Sequence, residues 1–524
     1  MAHDEDLLAA ARARVARWRA SLELREGAAV RIVETHISWV LLAGRWAYKV
    51  KKPVRLQFLD FTTLAERHRF CAEELRLNRR FAPSIYVDVV ELREGPSGTG
   101  LEEEGAIVEY VLRMRRFADG ALWSDRVAAA TLAPHHVDAM AGRLADMHRD
   151  APLALAAEGS PGTVVRRRQV VTRLVAGIDT WQAAVASPAP HWPGLRDWLG
   201  RQLEELAPFW ELRLRAGRVR ECHGDLHLGN VVQLGDEPTP FDAIEFDPDL
   251  RFIDVLEDVA FLAMDLLAHG RRDFAFRLLA AYLDATGDHD GLPTLRFFLV
   301  ARALVRAQVT ALVETEQGGA GRSCTAADYL TLAASLAQGA DPRLAITHGL
   351  PGSGKTFVSQ GLLEAAGALR VRSDVERKRL AGIGALQSSR GAVAGGIYGD
   401  ASSDRAYARL REIAQIALAS GWPIIVDAAF LHRAERTRFA AMAEAATVPF
   451  SILDFAAPLP LLRERVARRQ AARADASEAD IGVLERLASE AEPLGDCERA
   501  RSIVVDARWP SASVPLAQRW LDAR

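Results

Sequence analysis

Apolar residues recur at helical spacing through residues 4–22, an Ala-, Arg- and Leu-rich run that predicts a leading helix. The pattern then changes. Val30–Glu34, Ile37–Leu42 and Trp46–Val50 read as strands, with Gly44 between the last two where a hairpin would turn. Thr63–Phe81 returns to helical spacing and carries Phe70, Leu77 and Phe81 as a buried stripe. Ser84–Leu92 and Ala106–Leu112 read as further strands, with Glu109–Leu112 as the link to a second lobe. From Asp119 the pattern is mostly helical to about Gln338, apart from strand-like Val231–Leu234 and a short strand ending in Asp242. Asp341-Pro342 marks a boundary. Beyond it, apolar runs at Leu344–Thr347, before Asp374, at Trp422–Asp427 and at Ser451–Asp454 alternate with helical text, as a parallel sheet requires. The expected fold class is therefore multidomain, α+β then α/β, with domains at 1–112, 113–340 and 341–524.

Chemistry concentrates first in His223-Gly-Asp-Leu-His-Leu-Gly-Asn230. An Asp that accepts the proton of a substrate hydroxyl, followed five residues on by an Asn that holds magnesium, is what phosphoryl transfer needs of a loop. Asp225 and Asn230 stand at that spacing. A second metal carboxylate is expected at Asp242, with Glu245 and Asp247 as alternatives, because alternate strand residues face opposite ways. Lys49 lies on a strand where an α/β-phosphate lysine would sit, and its partner is expected on the 63–81 helix. Glu74 shares the inward face with Leu77 and Phe81, and Glu73 is the competitor. Asp254 and Asp258 are each expected to bond back to the catalytic loop, and Glu34–Ser38 to lie over the nucleotide. The Thr35 and Ser38 hydroxyls there either bond phosphate oxygens or cap a turn.

Composition sharpens this picture at one point. Of 66 basic residues only five are lysine, at 49, 51, 52, 355 and 378. Arginine serves wherever a generic positive charge suffices, so the lysines that remain mark places wanting a compact ammonium. At 524 residues the chain exceeds what one core supports. The net charge of -3 gives no global basic field for nucleic acid or membrane. Four cysteines, far apart, form no metal spacing, and a reduced, cytoplasmic protein is the simplest reading. The acidic first residues lack signal-peptide order, and no apolar run is of membrane-spanning length.

Residues 30–335 resemble the aminoglycoside phosphotransferase family, a small-molecule branch of the two-lobed protein-kinase-like fold. The resemblance is carried by His223–Asn230, Asp242, the Asp258-Val-Ala-Phe segment and Leu144-Ala-Asp-Met-His148. It implies that Asp225 is the catalytic base, that Asn230 and Asp242 hold Mg2+, and that Lys49 holds the α/β-phosphates. His227 would serve loop structure. The stretch from Asp242 to Asp258 is more acidic and longer than the family pattern, which leaves the second metal ligand open.

A second phosphate site follows the boundary. Gly349-Leu-Pro-Gly-Ser-Gly-Lys-Thr356 is G-x-x-x-x-G-K-[ST], placed after a strand and before a helix. The loop residues Gly349, Leu350, Pro351, Gly352, Ser353 and Gly354 would surround phosphate at the helix N-terminus, with the backbone N–H groups of residues 352–356 pointing at it. Lys355 would bridge the β- and γ-phosphates, and Thr356 would bind Mg2+. Asp374 is the candidate acceptor-activating base, and Asp427 a magnesium partner. Arg465 and Arg469, four apart on one helix, could close over the transferring phosphoryl group, and Arg377–Arg379 could grip an anionic substrate. Residues 342–524 resemble small P-loop kinases related to gluconate, shikimate and polynucleotide 5′-hydroxyl kinases, carried by Gly349–Thr356, Arg372–Asp374 and Asp427–Arg433. The fusion as a whole resembles bacterial bifunctional phosphotransferase/ATP-binding proteins. What this implies is an ATP- and Mg2+-dependent kinase with two sites acting on small-molecule hydroxyls. The alternatives are one kinase site with a nucleotide-sensing partner domain, or a C-terminal polynucleotide 5′-hydroxyl kinase; nucleic acid is the less favoured partner.

Overall fold

The computed structural model describes residues 2–56, 59–96, 98–157, 159–185, 188–317, 323–384, 400–472, 479–506 and 513–523. The chain forms two compact units. The first comprises Met1–His136, Asp146–Val170 and Glu211–Asp258, and the second Val137–Ala145, Val171–Trp210 and Val259–Arg524.

In the first unit, helix α1 (Ala2–Glu26) precedes strands β1 (Arg31–Glu34), β2 (Ser38–Ala43) and β3 (Trp46–Lys51). Helix α2 (Leu64–Phe81) follows, then β4 (Tyr86–Gly95), β5 (Gly98–Gly100) and β6 (Ala106–Arg115). The strands make one antiparallel sheet in the order β1-β2-β3-β6-β4-β5. Alternation along β3 sorts its side chains. Tyr48 and Val50 join Trp39, Leu41 and the α1 stripe of Ala11, Val15, Trp18 and Leu22 in one core cluster. Lys49 and Lys51 therefore face the other side, toward α2. Thr63 caps α2 by accepting from the Glu66 amide, and Phe70, Glu74, Leu77 and Phe81 form its buried face.

The link expected at Glu109–Leu112 is instead the interior of β6. Glu109 is buried against the Arg67 guanidinium at 2.8 Å, and Arg113 pairs with Asp88 across the strands, so the ladder continues to Arg115. The same unit holds β7 (Val219–Glu221), β8 (Val231–Leu234), β9 (Glu237–Pro240) and β10 (Phe252–Asp254). β8 pairs with β9, and β7 with β10, both antiparallel. Asp242 lies two residues past the end of β9 rather than on it.

In the second unit, helix α3 (Arg272–Thr286) packs against α4 (Lys355–Ala366) and strand β12 (Leu369–Arg372). That strand belongs to a parallel sheet with β11 (Leu344–His348), β13 (Ile424–Asp427), β14 (Phe450–Ala456) and β15 (Ser502–Asp506). The order is β12-β13-β11-β14-β15, with the glycine-rich loop leaving β11 near the centre. The sheet strands β11–β13 are almost wholly buried and rich in Ile, Leu and Val, as a sheet covered on both faces requires. Among the described residues, no helix is long and apolar enough to cross a membrane.

Candidate functional site

The loop between β7 and β8 is held from three directions. Asp258, fully buried, accepts from the amides of His223 (3.0 Å) and Gly224 (2.9 Å), and meets His148 Nε2 at 3.1 Å. Gly224 has φ +83°, and a Cβ there would stand 2.6 Å from the Leu250 carbonyl oxygen, so the tight turn requires glycine. His227 Nδ1 accepts from the Gly229 amide at 3.1 Å, and its Nε2 lies 3.5 Å from Asp225 Oδ2. Asn230 Nδ2 donates to Asp225 Oδ2 at 3.0 Å and to the Asp225 carbonyl at 2.9 Å. That leaves Asn230 Oδ1 as its oxygen donor.

The segment carrying Asp242 is tied to both ends of this loop. The Phe241 amide donates to the Asn230 carbonyl (3.0 Å), and the Ile244 amide to the His223 carbonyl (3.1 Å). Asp242 itself is left-handed, with φ +64°. The Asp242 amide donates to Tyr86 Oη at 3.1 Å, and the Ala243 amide to Asn78 Oδ1 at 2.9 Å. Such a conformation in a residue other than glycine is strained, and these neighbours hold it. Lys49 Nζ reaches Asp242 at 2.6 Å and Glu74 at 2.8 Å. Of the alternatives at the metal position, Glu245 is buried on Lys51, and Asp247 caps the short helix Pro248–Arg251 through the Asp249 amide. Asp242 is 40% exposed at its side chain and can be reached by a cation. Asn230 Oδ1 and the Asp242 carboxylate are hard oxygen donors of the kind Mg2+ selects, so the residues fit the ion.

Burial works against the charged form of Lys49, yet Asp242 and Glu74 outweigh it and hold the ammonium well above its ordinary pKa. Glu74 is likewise penalised by burial but is held below the usual carboxylate range by Lys49 and Lys51. Glu73 is engaged elsewhere, with Arg76 and Arg251. In the Glu34–Ser38 loop, Thr35 Oγ1 accepts from the Ser38 amide at 3.0 Å, so it closes a turn. Lys52 ties the same loop through Glu34 at 2.8 Å.

In the second unit the loop before α4 is shaped by glycines at φ +149° (Gly349), +83° (Gly352) and +92° (Gly354). Lys355 Nζ donates to the Gly349 and Leu350 carbonyls, each at 2.9 Å. The ammonium is tucked into the loop although the side chain as a whole is only half-buried. Desolvation lowers its pKa to about 8, against the opposing pull of Asp427 and Asp374. The Ser353 hydroxyl is buried without a hydrogen-bond partner among the described residues, as expected of a group aimed at a ligand. Asp427 ends β13, buried, and accepts weakly from Ser359 Oγ at 3.4 Å. Its carboxylate and the Thr356 hydroxyl are both hard oxygen ligands of the kind Mg2+ takes. Asp374 opens the helix α5 (Ser373–Leu380) and meets Arg377 at 3.2 Å. Helix α6 (Leu459–Ala472) lies against the loop: Arg465 Nη1 is 3.4 Å from the Gly352 carbonyl oxygen. Arg469 bonds the Ala479 carbonyl at 2.9 Å, and its charge adds to the depression of Lys355.

Several expectations change. Arg377 and Lys378 are buried in α5, and Arg379 is tied to Glu376 and the Asp284 carbonyl, so this run offers no open cationic grip. The half-buried Asp284 carboxylate on α3 lies 3.9 Å from both Arg370 and Arg372 of the preceding strand. Asp254 pairs with Arg213 and caps the Leu256 amide, so Asp258 alone of the two bonds the His223–Asn230 loop. Lys51, Asn78 and Tyr86 were given no role in the sequence reading, and Glu245, an alternative metal carboxylate there, is instead the partner of Lys51. Only Lys51 carried a signal there, as one of five lysines.

A family model described as "AAA domain" matches residues 344–494. The protein described as "Uncharacterized protein Rv2004c" of Mycobacterium tuberculosis is 32% identical over 459 residues, spanning 85% of this chain and 87% of its own. "Uncharacterized protein Mb2027c" of Mycobacterium bovis matches with the same figures, 32% over 459 residues. Among solved structures, a gluconokinase from Sinorhizobium meliloti is 20% identical and covers 35% of this chain and 93% of its own, with a TM-score of 0.26. A choline/ethanolamine kinase family protein from Mesorhizobium loti is 14% identical and covers 61% of this chain and 92% of its own, with a TM-score of 0.34.

Proposed function

The chain belongs to one family with the mycobacterial protein Rv2004c, and we propose that it is an ATP-dependent phosphotransferase with two sites, each passing the γ-phosphoryl group to a hydroxyl of a small molecule. One observation carries this reading. Lys49 stands 2.6 Å from Asp242, on a segment bonded to both ends of the Asp225–Asn230 loop. A lysine for phosphate, a carboxylate and an amide oxygen for a cation, and a base for a hydroxyl thus come from three separate parts of the sequence.

At this site Lys49 would draw the α- and β-phosphates, with Glu74 fixing its direction. Asn230 Oδ1 and Asp242 would hold Mg2+, which when bound supplies charge neutralisation on the triphosphate. Asp225 would orient the acceptor hydroxyl and take its proton as the oxygen attacks phosphorus, while its Oδ2 stays aligned by Asn230. At the glycine-rich loop, Lys355 would exchange its carbonyl partners for phosphate oxygens. Asp374 would accept the acceptor's proton there, and Arg465 and Arg469 would face the charge that develops on the phosphoryl group. Thr356 and Asp427 would hold the second Mg2+. Burial and pairing of the Arg377–Arg379 run weigh against a polynucleotide acceptor.

The test is ATP-dependent transfer to a panel of small hydroxyl compounds and 5′-hydroxyl oligonucleotides, with Asp225→Ala and Lys355→Ala compared to wild type. Each substitution should abolish one transfer and spare the other. Full retention of every transfer in Asp225→Ala would remove the first site from the account, and the same result in Lys355→Ala would remove the second.

A further inference from the structure

Two lysines, not one, meet the α2 glutamate. Lys49 and Lys51 are two residues apart on β3 and share a face. Glu74 divides its carboxylate between them, Oε1 to Lys49 at 2.8 Å and Oε2 to Lys51 at 2.7 Å. Each lysine then holds one acid of the segment past β9: Lys49 takes Asp242, and Lys51 takes Glu245. Lys51 also lies 5.0 Å from the Phe61 ring centroid. At 1% exposure, the Lys51 ammonium is too deep to touch a nucleotide. Any influence of Lys51 on the site runs through the side chains it holds.

We propose that Lys51 is a positioning residue, which locks α2 and the Asp242–Glu245 segment into one register against β3. The inference rests on reading this site as one of phosphoryl transfer. The charges are arranged to suit that role. Two ammonium groups face three carboxylates, and Glu74 and Glu245 are buried while Asp242 is open. Asp242 is thus the one of the three carboxylates that a cation can reach. With Lys51 present, Glu245 anchors the segment three residues beyond Asp242, and the left-handed turn at Asp242 is pinned from both sides. Without it, Glu74 and Glu245 become buried carboxylates with one lysine between three acids, and the Asp242 segment loses its far anchor.

The test uses the full chain in a Lys355→Met background, which silences the glycine-rich loop, and follows ATP binding by calorimetry as a function of Mg2+ concentration. Lys51→Met should raise the Mg2+ concentration for half-saturation about tenfold, the scale on which groups orienting a metal ligand act. It should also lower the melting temperature. The double variant Lys51→Met/Glu245→Gln removes the buried uncompensated charge, so it guards against simple failure to fold. Its melting temperature should recover while its Mg2+ requirement stays raised. An unchanged Mg2+ requirement in Lys51→Met overturns the proposal. Recovery of both quantities in the double variant also overturns it, because Lys51 would then only balance charge. Absence of any ATP binding in the Lys355→Met background is a different result: it overturns the reading of the site, and the proposal with it.

Discussion

Replacing Asp258 by Asn tests whether the His223–Asn230 loop is held as the geometry indicates. The wild-type carboxylate accepts two backbone amides, of His223 at 3.0 Å and Gly224 at 2.9 Å, and meets His148 at 3.1 Å. Burial would raise its pKa, but the His148 bond and charge, the charge of His223 and the Gly224 amide together hold it below the ordinary carboxylate value. Asn keeps the size and one acceptor oxygen. Its NH2 group would oppose either the His223 amide or the Gly224 amide, donor against donor. One charge-assisted hydrogen bond is lost, and one buried N–H is left unsatisfied; together these cost about 3 kcal/mol. That energy is local, so it should appear as roughly 100-fold faster amide exchange at His223 and Gly224, with the rest of the protein still folded. Displacement of Asp225 should lower kcat of the Asp225-dependent transfer by about 10- to 100-fold. The transfer that depends on Lys355 should be unaffected. Exchange at both amides and kcat within twofold of wild type would refute the reasoning, since the three contacts would then carry no strain of removal.

The pH dependence of ATP binding at the glycine-rich loop follows from Lys355, whose pKa burial lowers to about 8. ATP requires the ammonium form, and the free loop loses that proton as pH rises through 8, so affinity should fall by roughly tenfold to thirtyfold between pH 7.5 and 9.5. Calorimetry in a Lys49→Met background measures this directly, and a flat profile would contradict the burial of the free ammonium. Gly224→Ala should abolish the Asp225-dependent transfer. The new methyl meets the Leu250 carbonyl at 2.6 Å in a left-handed backbone, a strain of about 2–3 kcal/mol, readable as increased amide exchange across 223–225.

The parts of the candidate sites that were legible in the sequence are those written contiguously. Gly349–Thr356 and His223–Asn230 each fit within eight residues, where spacing alone dictates which groups converge. The choice of Glu74 over Glu73 followed from helical periodicity, and the structure turns Glu74 to Lys49 and Glu73 to Arg76. What escaped are pairs between distant residues. Lys51 and Glu245 stand 194 positions apart, and no local pattern joins them. Arg377–Arg379 looked like an exposed basic grip because the α3 carbonyl that holds Arg379, that of Asp284, lies 95 positions earlier in the chain. β6 outran its expected end for a similar reason. Its charged residues, Glu109 and Arg113, resemble link text until Arg67 and Asp88 are brought opposite them.

Asp284 has a consequence for how this chain can be divided. Arg370 on β12 is buried, donating to the Thr356 carbonyl at 3.1 Å and to Gln360 at 2.7 Å, and its nearest carboxylate is on α3, before the Asp341-Pro342 boundary. Trp422, which leads into β13, meets Phe276 of the same helix and the Arg296 guanidinium at 4.3 Å. A fragment begun at residue 341 would therefore expose a tryptophan and leave a desolvated arginine next to the phosphate loop without its counter-ion. The glycine-rich module is portable only if α3 travels with it, so an expressible half of this protein starts within the helical region and not at its sequence boundary.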